Sequence, residues 1–172
     1  MTPERDEQDA ILCGRAARGD RAAFGQLVAK HERALRAFLV RMGAGHAADD
    51  VAQEAFLKAW RFAGQYDGRA RFATWLTRIA WRCYVDLARR PKHEQDERAG
   101  ESKGDDPAAS AAVGDLLARL GTVERASLIL CEGHGWSHAE AAEMLGLPLG
   151  TLKSTIARAK ARCRAMWSEE HD

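Results

Sequence analysis

Gly135-Trp-Ser-His-Ala-Glu-Ala-Ala-Glu-Met-Leu-Gly-Leu-Pro-Leu-Gly-Thr-Leu-Lys-Ser-Thr-Ile-Ala-Arg-Ala-Lys-Ala-Arg-Cys-Arg164 reads as two short helices joined by a tight turn. Ser137 followed by Glu140 forms a capping box, which satisfies backbone donors left open at a helix start. Ala141, Ala142 and Leu145 give the helix an apolar stripe. Gly146 ends it, because glycine adopts the left-handed conformation without steric cost, and Leu147 is the apolar residue such a turn covers. Pro148 and Gly150 punctuate the chain, and Thr151 is placed to cap the second helix. Leu152, Ile156, Ala159 and Cys163 follow at steps of 4, 3 and 4 on its inner face. Lys153, Arg158, Lys160, Arg162 and Arg164 fall mostly outside, with no acid among them. The pattern predicts a helix-turn-helix whose second helix suits a DNA major groove. A solvated basic helix in an ordinary bundle accounts for the bases, but not for the capped first helix and the glycine turn beside them.

The 172 residues allow one domain or two small ones, and 46% hydrophobic content provides for buried cores. A formal net charge of +1 excludes a nonspecific polycation, so DNA affinity has to come from local patches. No apolar run reaches the length of a membrane span, and the start, Met1-Thr-Pro-Glu-Arg-Asp6, is unlike a signal peptide. A cytoplasmic protein without membrane insertion is expected. Cys13, Cys83, Cys131 and Cys163 are widely spread with no CxxC pair, which argues against a disulfide framework or a zinc ribbon.

Almost all apolar spacing is helical, so an all-α fold is expected. A first helix runs from about Glu7 to Arg18 with Ala10, Ile11 and Cys13 or Gly14 inward, broken by Gly19 and followed by Asp20 as a cap. Phe24, Leu27, Val28, His31, Leu35, Phe38, Leu39 and Met42 mark a long amphipathic helix ended by Gly43 and Gly45. A third helix spans about Ala48 to Phe62. A fourth spans Phe72 to Arg89 with Trp75, Leu76, Ile79, Ala80, Cys83 and Leu87 inward, closed by Arg90-Pro91. His93 to Ser110 is acidic, holds glycine and proline, and lacks large apolar residues, which reads as a flexible linker. Helices over Ala111–Leu120 and Val123–Glu132 then precede the helix-turn-helix. The expected architecture is therefore two small helical domains, 7–92 and 111–168, joined by a linker at 93–110.

Two segments of the first domain carry chemistry. In the third helix Val51, Ala55 and Ala59 face inward and leave Asp50, Gln53, Glu54, Leu57 and Lys58 toward solvent. Carboxylates, an amide and large apolar groups on one face suit docking on another protein. The acids equally suit an ordinary helix start through the helix dipole. The following loop and helix interleave Tyr66, Arg69, Arg71, Phe72, Trp75, Arg78, Trp81, Arg82, Tyr84, Arg89 and Arg90. Arginines that track phosphates and rings on which unpaired bases stack are what single-stranded DNA requires. Trp81 and Tyr84 are the better exposed candidates, although covering the core would account for either ring equally, and Trp75 shares a face with Ile79 and so belongs to the core.

The three stretches DDVAQEAFLKAW, ATWLTRIAWRCYVDLARR and SHAEAAEMLGLPLGTLKSTIARAKARCR, in that order and spacing, resemble a bacterial RNA polymerase sigma factor of the extracytoplasmic-function group. The resemblance runs from about Glu7 to Trp167. It implies a non-catalytic protein without cofactor or metal that binds core RNA polymerase, opens promoter DNA, and is held inactive by an anti-sigma factor. By position, Asp49, Asp50, Gln53, Glu54, Phe56, Leu57 and Trp60 match the family's polymerase-docking segment. Arg69, Arg71, Phe72, Arg78, Trp81, Arg82, Tyr84 and Arg89 fall on the segment that melts and reads the minus-ten element. Ser137, Thr151, Lys153, Ser154, Thr155, Arg158, Lys160 and Arg162 fall on the motif that reads the minus-thirty-five element as duplex. The chain departs from the family pattern in having Arg82 where asparagine is common, beside the pocket for a flipped promoter base. It also has Leu120-Gly121 for Leu-Pro, Thr155 where a second base is usual, and Ala141-Ala142 for Ile-Ala.

Cys131, His134 and His138 have metal-like spacing, but no fourth ligand is evident and His138 falls inside the capped helix, so no zinc site is expected. His31 reads as a satisfied, half-buried residue. No nucleophile–base pairing or phosphate-binding glycine loop stands out, so no enzyme is expected. A stand-alone helix-turn-helix repressor would leave the acidic and arginine–aromatic helices without purpose. A decoy that sequesters an anti-sigma factor would not need Lys153, Arg158 and Lys160.

Overall fold

The computed structural model describes residues 3–89 and 107–171, which form eight α-helices with short 3-10 and π turns between them. Among these residues there is no strand. The chain divides into two compact units, the first built on α1 (Pro3–Ala17), α2 (Arg21–Arg41), α3 (Ala48–Arg61) and α4 (Phe72–Arg89). The second is built on α5 (Pro107–Ala118), α6 (Thr122–Leu128), α7 (His138–Leu145) and α8 (Leu149–His171). The linker expected over 93–110 lies outside the described residues except for its end, where α5 already starts at Pro107 instead of Ala111. Proline is well tolerated in a helix's first turn, where its missing N–H has no partner to lose. The closure at Arg90-Pro91 also lies outside the described residues.

In the first unit Gly19, at φ 91°, turns the chain and Asp20 caps α2 by accepting the Ala23 N–H at 3.0 Å. Helix α3 packs most extensively on α4. Alanines at 52, 55 and 59, all 4% exposed or less, let the two backbones approach. Leu27, Phe72 and Leu76 fill the space between helices. The inward face of α1 is Asp9, Leu12, Cys13 and Ala16, while Ile11 is 59% exposed, contrary to the sequence expectation. The helix is rotated because Asp9 has partners inside: its carboxylate accepts Lys30 Nζ at 2.5 Å and His31 Nε2 at 2.9 Å. A buried charge with two donors is tolerated where an unpaired one is not. His31 is thus the satisfied residue expected, with its pKa held below the ordinary value by burial against the opposing pull of Asp9. Leu87 is also turned outward, and its inward place on α4 is taken by Tyr84.

In the second unit Leu120, Ala126, Leu128, Ile129 and Leu130 form a core with Ala141, Ala142, Leu152, Ile156 and Ala159. Helix α6 widens into a π turn at Ile129–Gly133, whose end is tied by His134 N–H to Ile129 C=O at 3.0 Å and Trp136 N–H to Leu130 C=O at 3.0 Å. Gly135, at φ 65°, then redirects the chain toward α7.

Candidate nucleic-acid and polymerase interfaces

The helix-turn-helix is built as its sequence indicates. Ser137 Oγ accepts the Glu140 N–H at 3.2 Å while Glu140 Oε2 accepts the Ser137 N–H at 2.9 Å and its hydroxyl at 2.7 Å. Helix α7 ends at Gly146, φ 68°, with Leu147 N–H on Ala142 C=O at 2.9 Å and Gly146 N–H on Glu143 C=O at 3.3 Å. This double closure is a Schellman ending, and it sets the angle at which α8 departs. Helix α8 starts earlier than expected. Leu152 N–H already bonds Pro148 C=O at 3.0 Å, so Thr151 lies inside the first turn and caps nothing. Thr151 instead presents its carbonyl to Ser154 Oγ at 2.9 Å.

The bases of α8 are not equivalent. Lys153 and Ser154 are exposed beside Thr151 near the helix start, and Arg158 is exposed with its Nη2 3.4 Å from Thr155 Oγ1. Lys160 is engaged by Glu132 at 2.8 Å. Arg162 donates to Glu124 Oε2 at 2.5 Å and to the Arg119 carbonyl at 3.2 Å. The run holds no acid of its own, but acids from elsewhere in the chain engage two of its bases. The acids come from α6 and the π turn, distant in sequence and adjacent once folded. Thr155, expected at the DNA, is 4% exposed and belongs to the core, because it follows Leu152 by one helical turn on the same face. Ser137 is exposed, but its hydroxyl is committed to the cap. Lys153 and Arg158 in the first half of α8 and Arg164 in the second are the exposed bases that no acid engages among the described residues.

On the arginine–aromatic segment, the rings do most of the structural work. Phe72 is 0% exposed and packs among Tyr66 at 5.7 Å, Trp75 at 5.6 Å and His31 at 5.3 Å. Tyr84 is 9% exposed. Neither ring can stack on a base, a correction to the sequence reading, and the physical reason is that this helix must fill the core of a small unit with its largest residues. Trp81 is half-buried, its ring 6.0 Å from that of Tyr84. Trp75, expected in the core, is only half-buried. Arg82 and Arg89 are exposed and Arg78 is half-buried. Arg69 pairs with Asp67 at 3.4 Å, and Arg71 with Asp6 at 3.4 Å. Burial pushes the Tyr66 hydroxyl up to about 12, so it stays protonated and donates to Ala70 C=O at 2.8 Å.

Helix α3 presents a groove rather than a flat face. Arg21, Phe24 and Val28 of α2 and Gln53, Phe56, Leu57 and Trp60 of α3 line an open depression of about 430 Å³. Leu57 stands 49% exposed at its edge. Phe56 is 8% exposed and forms the floor with Phe24, 6.4 Å away edge-on, so it supports the surface without projecting from it. Trp60, half-buried, stacks edge-on with Phe24 at 5.1 Å. Asp50, Gln53 and Glu54 are exposed, while Asp49 is held bidentately by Arg36 at 2.6 and 2.9 Å and Glu54 meets Lys58 at 3.4 Å. Sequence reading missed Phe24 and Val28 as surface residues because their helical period is that of the core.

Among the described residues no group of three His, Cys, Asp or Glu is arranged to hold a metal, and no helix is long and apolar enough to cross a membrane. All four cysteines are unpaired, and burial raises the pKa of each thiol, to about 11 for Cys13, which makes them poor nucleophiles.

Comparison with known proteins agrees in both units. The sigma-70 region 2 family model matches residues 27–94, and the sigma-70 region 4 model matches residues 110–163. The chain is 34% identical to the RNA polymerase sigma factor NccH of Alcaligenes xylosoxydans over 92% of this chain and 94% of the relative. It is 35% identical to the ECF RNA polymerase sigma factor SigM of Mycobacterium tuberculosis over 91% of this chain and 83% of the relative. Among solved structures it resembles CnrH, a sigma factor of Cupriavidus metallidurans, in complex with the cytosolic domain of CnrY. That likeness has TM-score 0.75 and 34% identity and covers 94% of this chain and 98% of CnrH. Two region models in chain order and relatives matched over most of their length lead to one conclusion: this chain belongs to the extracytoplasmic-function group of sigma-70 RNA polymerase sigma factors, a family that binds core RNA polymerase and promoter DNA.

Proposed function

We propose that three surfaces divide the work of this sigma factor. The α2–α3 groove, with Gln53 and Leu57 at its edge and exposed Asp50 and Glu54 beside it, docks on core polymerase. Phe56 and Trp60 shape that surface from within, and exposed Asp49 is held beside it by Arg36. The exposed arginines of the α3–α4 loop and α4, with Trp81, hold the melted minus-ten strand, and Phe72 and Tyr84 support them from the core. Lys153, Ser154 and Arg158 of α8 meet the minus-thirty-five duplex, with Ser137 and Thr151 shaping the approach, while Lys160 and Arg162 brace α8 through their ion pairs with Glu132 and Glu124.

The observation that carries the assignment is the order of an exposed apolar groove, an arginine-bearing helix and a capped helix-turn-helix along one chain of two helical units. Strand opening then needs no bond chemistry from this protein. Tighter binding of unpaired bases, about 1–3 kcal/mol per stacked base, shifts the duplex equilibrium toward the open form. The protein is non-catalytic and cytoplasmic and uses no cofactor, with the polymerase-docking and minus-ten surfaces on the unit of α1–α4 and the minus-thirty-five surface on the unit of α5–α8, which begins at Pro107. Control by an anti-sigma factor is supported by CnrH, whose structure is a complex with the cytosolic domain of CnrY. The test is footprinting of the reconstituted holoenzyme on a promoter. Leu57→Glu should abolish every footprint through lost docking, and Arg158→Ala should weaken the upstream one selectively. Identical footprint losses in both variants would refute the division.

A further inference from the structure

Helix α1 lies outside the matched region model, which begins at residue 27, yet it touches the loop before α4 at several points. Cys13, 1% exposed, directs its thiol at the Ala63 carbonyl, 3.7 Å away. Asp6 meets Arg71 at 3.4 Å. Asp9, 3% exposed, holds Lys30 and His31 of α2, and the His31 ring lies against Phe72, the first residue of α4. Phe72 in turn fixes Tyr66, whose hydroxyl closes the loop on Ala70. Both ends of the 63–72 loop are therefore set from the α1 side, while the side chains of Arg69 and Arg71 remain exposed.

We propose that α1 is the positioning element for strand capture, and that buried Asp9 sets the loop through His31 and Phe72 without touching DNA or polymerase. The inference rests on reading the loop and α4 as the strand-capturing surface. The chemistry fits a positioning role: a carboxylate with two donors from the neighbouring helix admits one register of α1 on α2, whereas apolar packing alone tolerates sliding. Ile11 of the same helix, 59% exposed, serves as the control.

The test uses the full chain bound to core polymerase. The probe is a fluorescent single-stranded oligonucleotide carrying the minus-ten bases of a promoter that the wild-type holoenzyme transcribes. Asp9→Asn keeps the side-chain volume and removes the charge. Its affinity for core polymerase and for minus-thirty-five duplex should stay within about twofold of wild type, while its affinity for the oligonucleotide falls about tenfold, the equivalent of roughly one lost base stack. Ile11→Ala should change none of the three. A folded Asp9→Asn protein with unchanged oligonucleotide affinity overturns the proposal, as does a parallel loss of polymerase binding, which marks general destabilisation. If Asp9→Asn fails to fold, Cys13→Ala carries the same test, with a several-fold loss expected and an unchanged affinity decisive against it. A wild-type holoenzyme that does not hold the oligonucleotide at all overturns the strand-capture reading itself, and the inference with it.

Discussion

Replacing Arg158 and Arg162 by alanine, one at a time, removes the same charge from the same helix, so net-charge arguments predict equal effects on DNA binding. The structure predicts unequal ones. Arg158 is exposed, with its guanidinium against Thr155 of its own helix, whereas Arg162 is tied to Glu124 and to the Arg119 carbonyl. Each phosphate contact contributes about 0.9 to the slope of log affinity against log salt. Arg158→Ala should therefore reduce that slope by about one contact. Over a rise from roughly 50 to roughly 200 mM salt, wild type should lose about 3.5-fold more affinity than this variant, with folding unchanged. Arg162→Ala should leave the slope in place. The half-exposed ion pair and its carbonyl hydrogen bond together contribute about 1 kcal/mol after solvent screening. Their loss lowers the melting temperature of a unit this size by about 4–8 °C. Fluorescence anisotropy of holoenzyme on a minus-thirty-five duplex across the salt range, with calorimetry of the free chain, reads both quantities. Equal slope changes in the two variants would refute the claim that Arg162 is committed to the fold.

Other consequences follow from burial. Leu57→Glu should weaken core polymerase binding by tenfold or more, in a pull-down or anisotropy titration, with the melting temperature intact, because Leu57 is half exposed and packs little. Trp81→Ala should reduce permanganate reactivity of the melted promoter more than it reduces stability, whereas Tyr84→Ala should cost about 2–4 kcal/mol of folding free energy in denaturant titration. His31 and His134 both have pKa values lowered by burial from the usual 6.5. The unfolded chain therefore takes up protons first on acidification, so their contribution is intact above about pH 6.5 and is lost as pH falls toward the folded-state values. Thermal melts from pH 7 down to pH 5 should show falling stability, and His31→Gln should flatten part of that fall.

Much of this was legible in the residues. Helix ends were the clearest, since Asp20, Ser137 with Glu140, and Gly146 act through their immediate neighbours and need no tertiary context. The inward places of Val51, Ala55 and Ala59 on α3 and of Leu152, Ile156 and Ala159 on α8 followed from period, whereas the burial of Phe56 and Thr155 beside them did not. What period could not supply was the choice between faces where a polar residue competes. On α1 it favoured Ile11, but the folded chain buries Asp9, because Lys30 and His31 arrive from another helix to satisfy it. It also could not reveal that Glu124 and Glu132 come to rest against Arg162 and Lys160, or that Phe72 and Tyr84 are needed as core. Aromatic and arginine residues at a site signal both packing and recognition, and only tertiary contacts separate the two.

Run-off transcription with purified core RNA polymerase and this chain, on a library of promoter fragments, tests the central claim most directly. The account predicts RNA starting at defined positions downstream of a shared pair of elements, with start sites absent when core polymerase acts alone. Transcripts with the same random distribution whether or not this chain is present would contradict it.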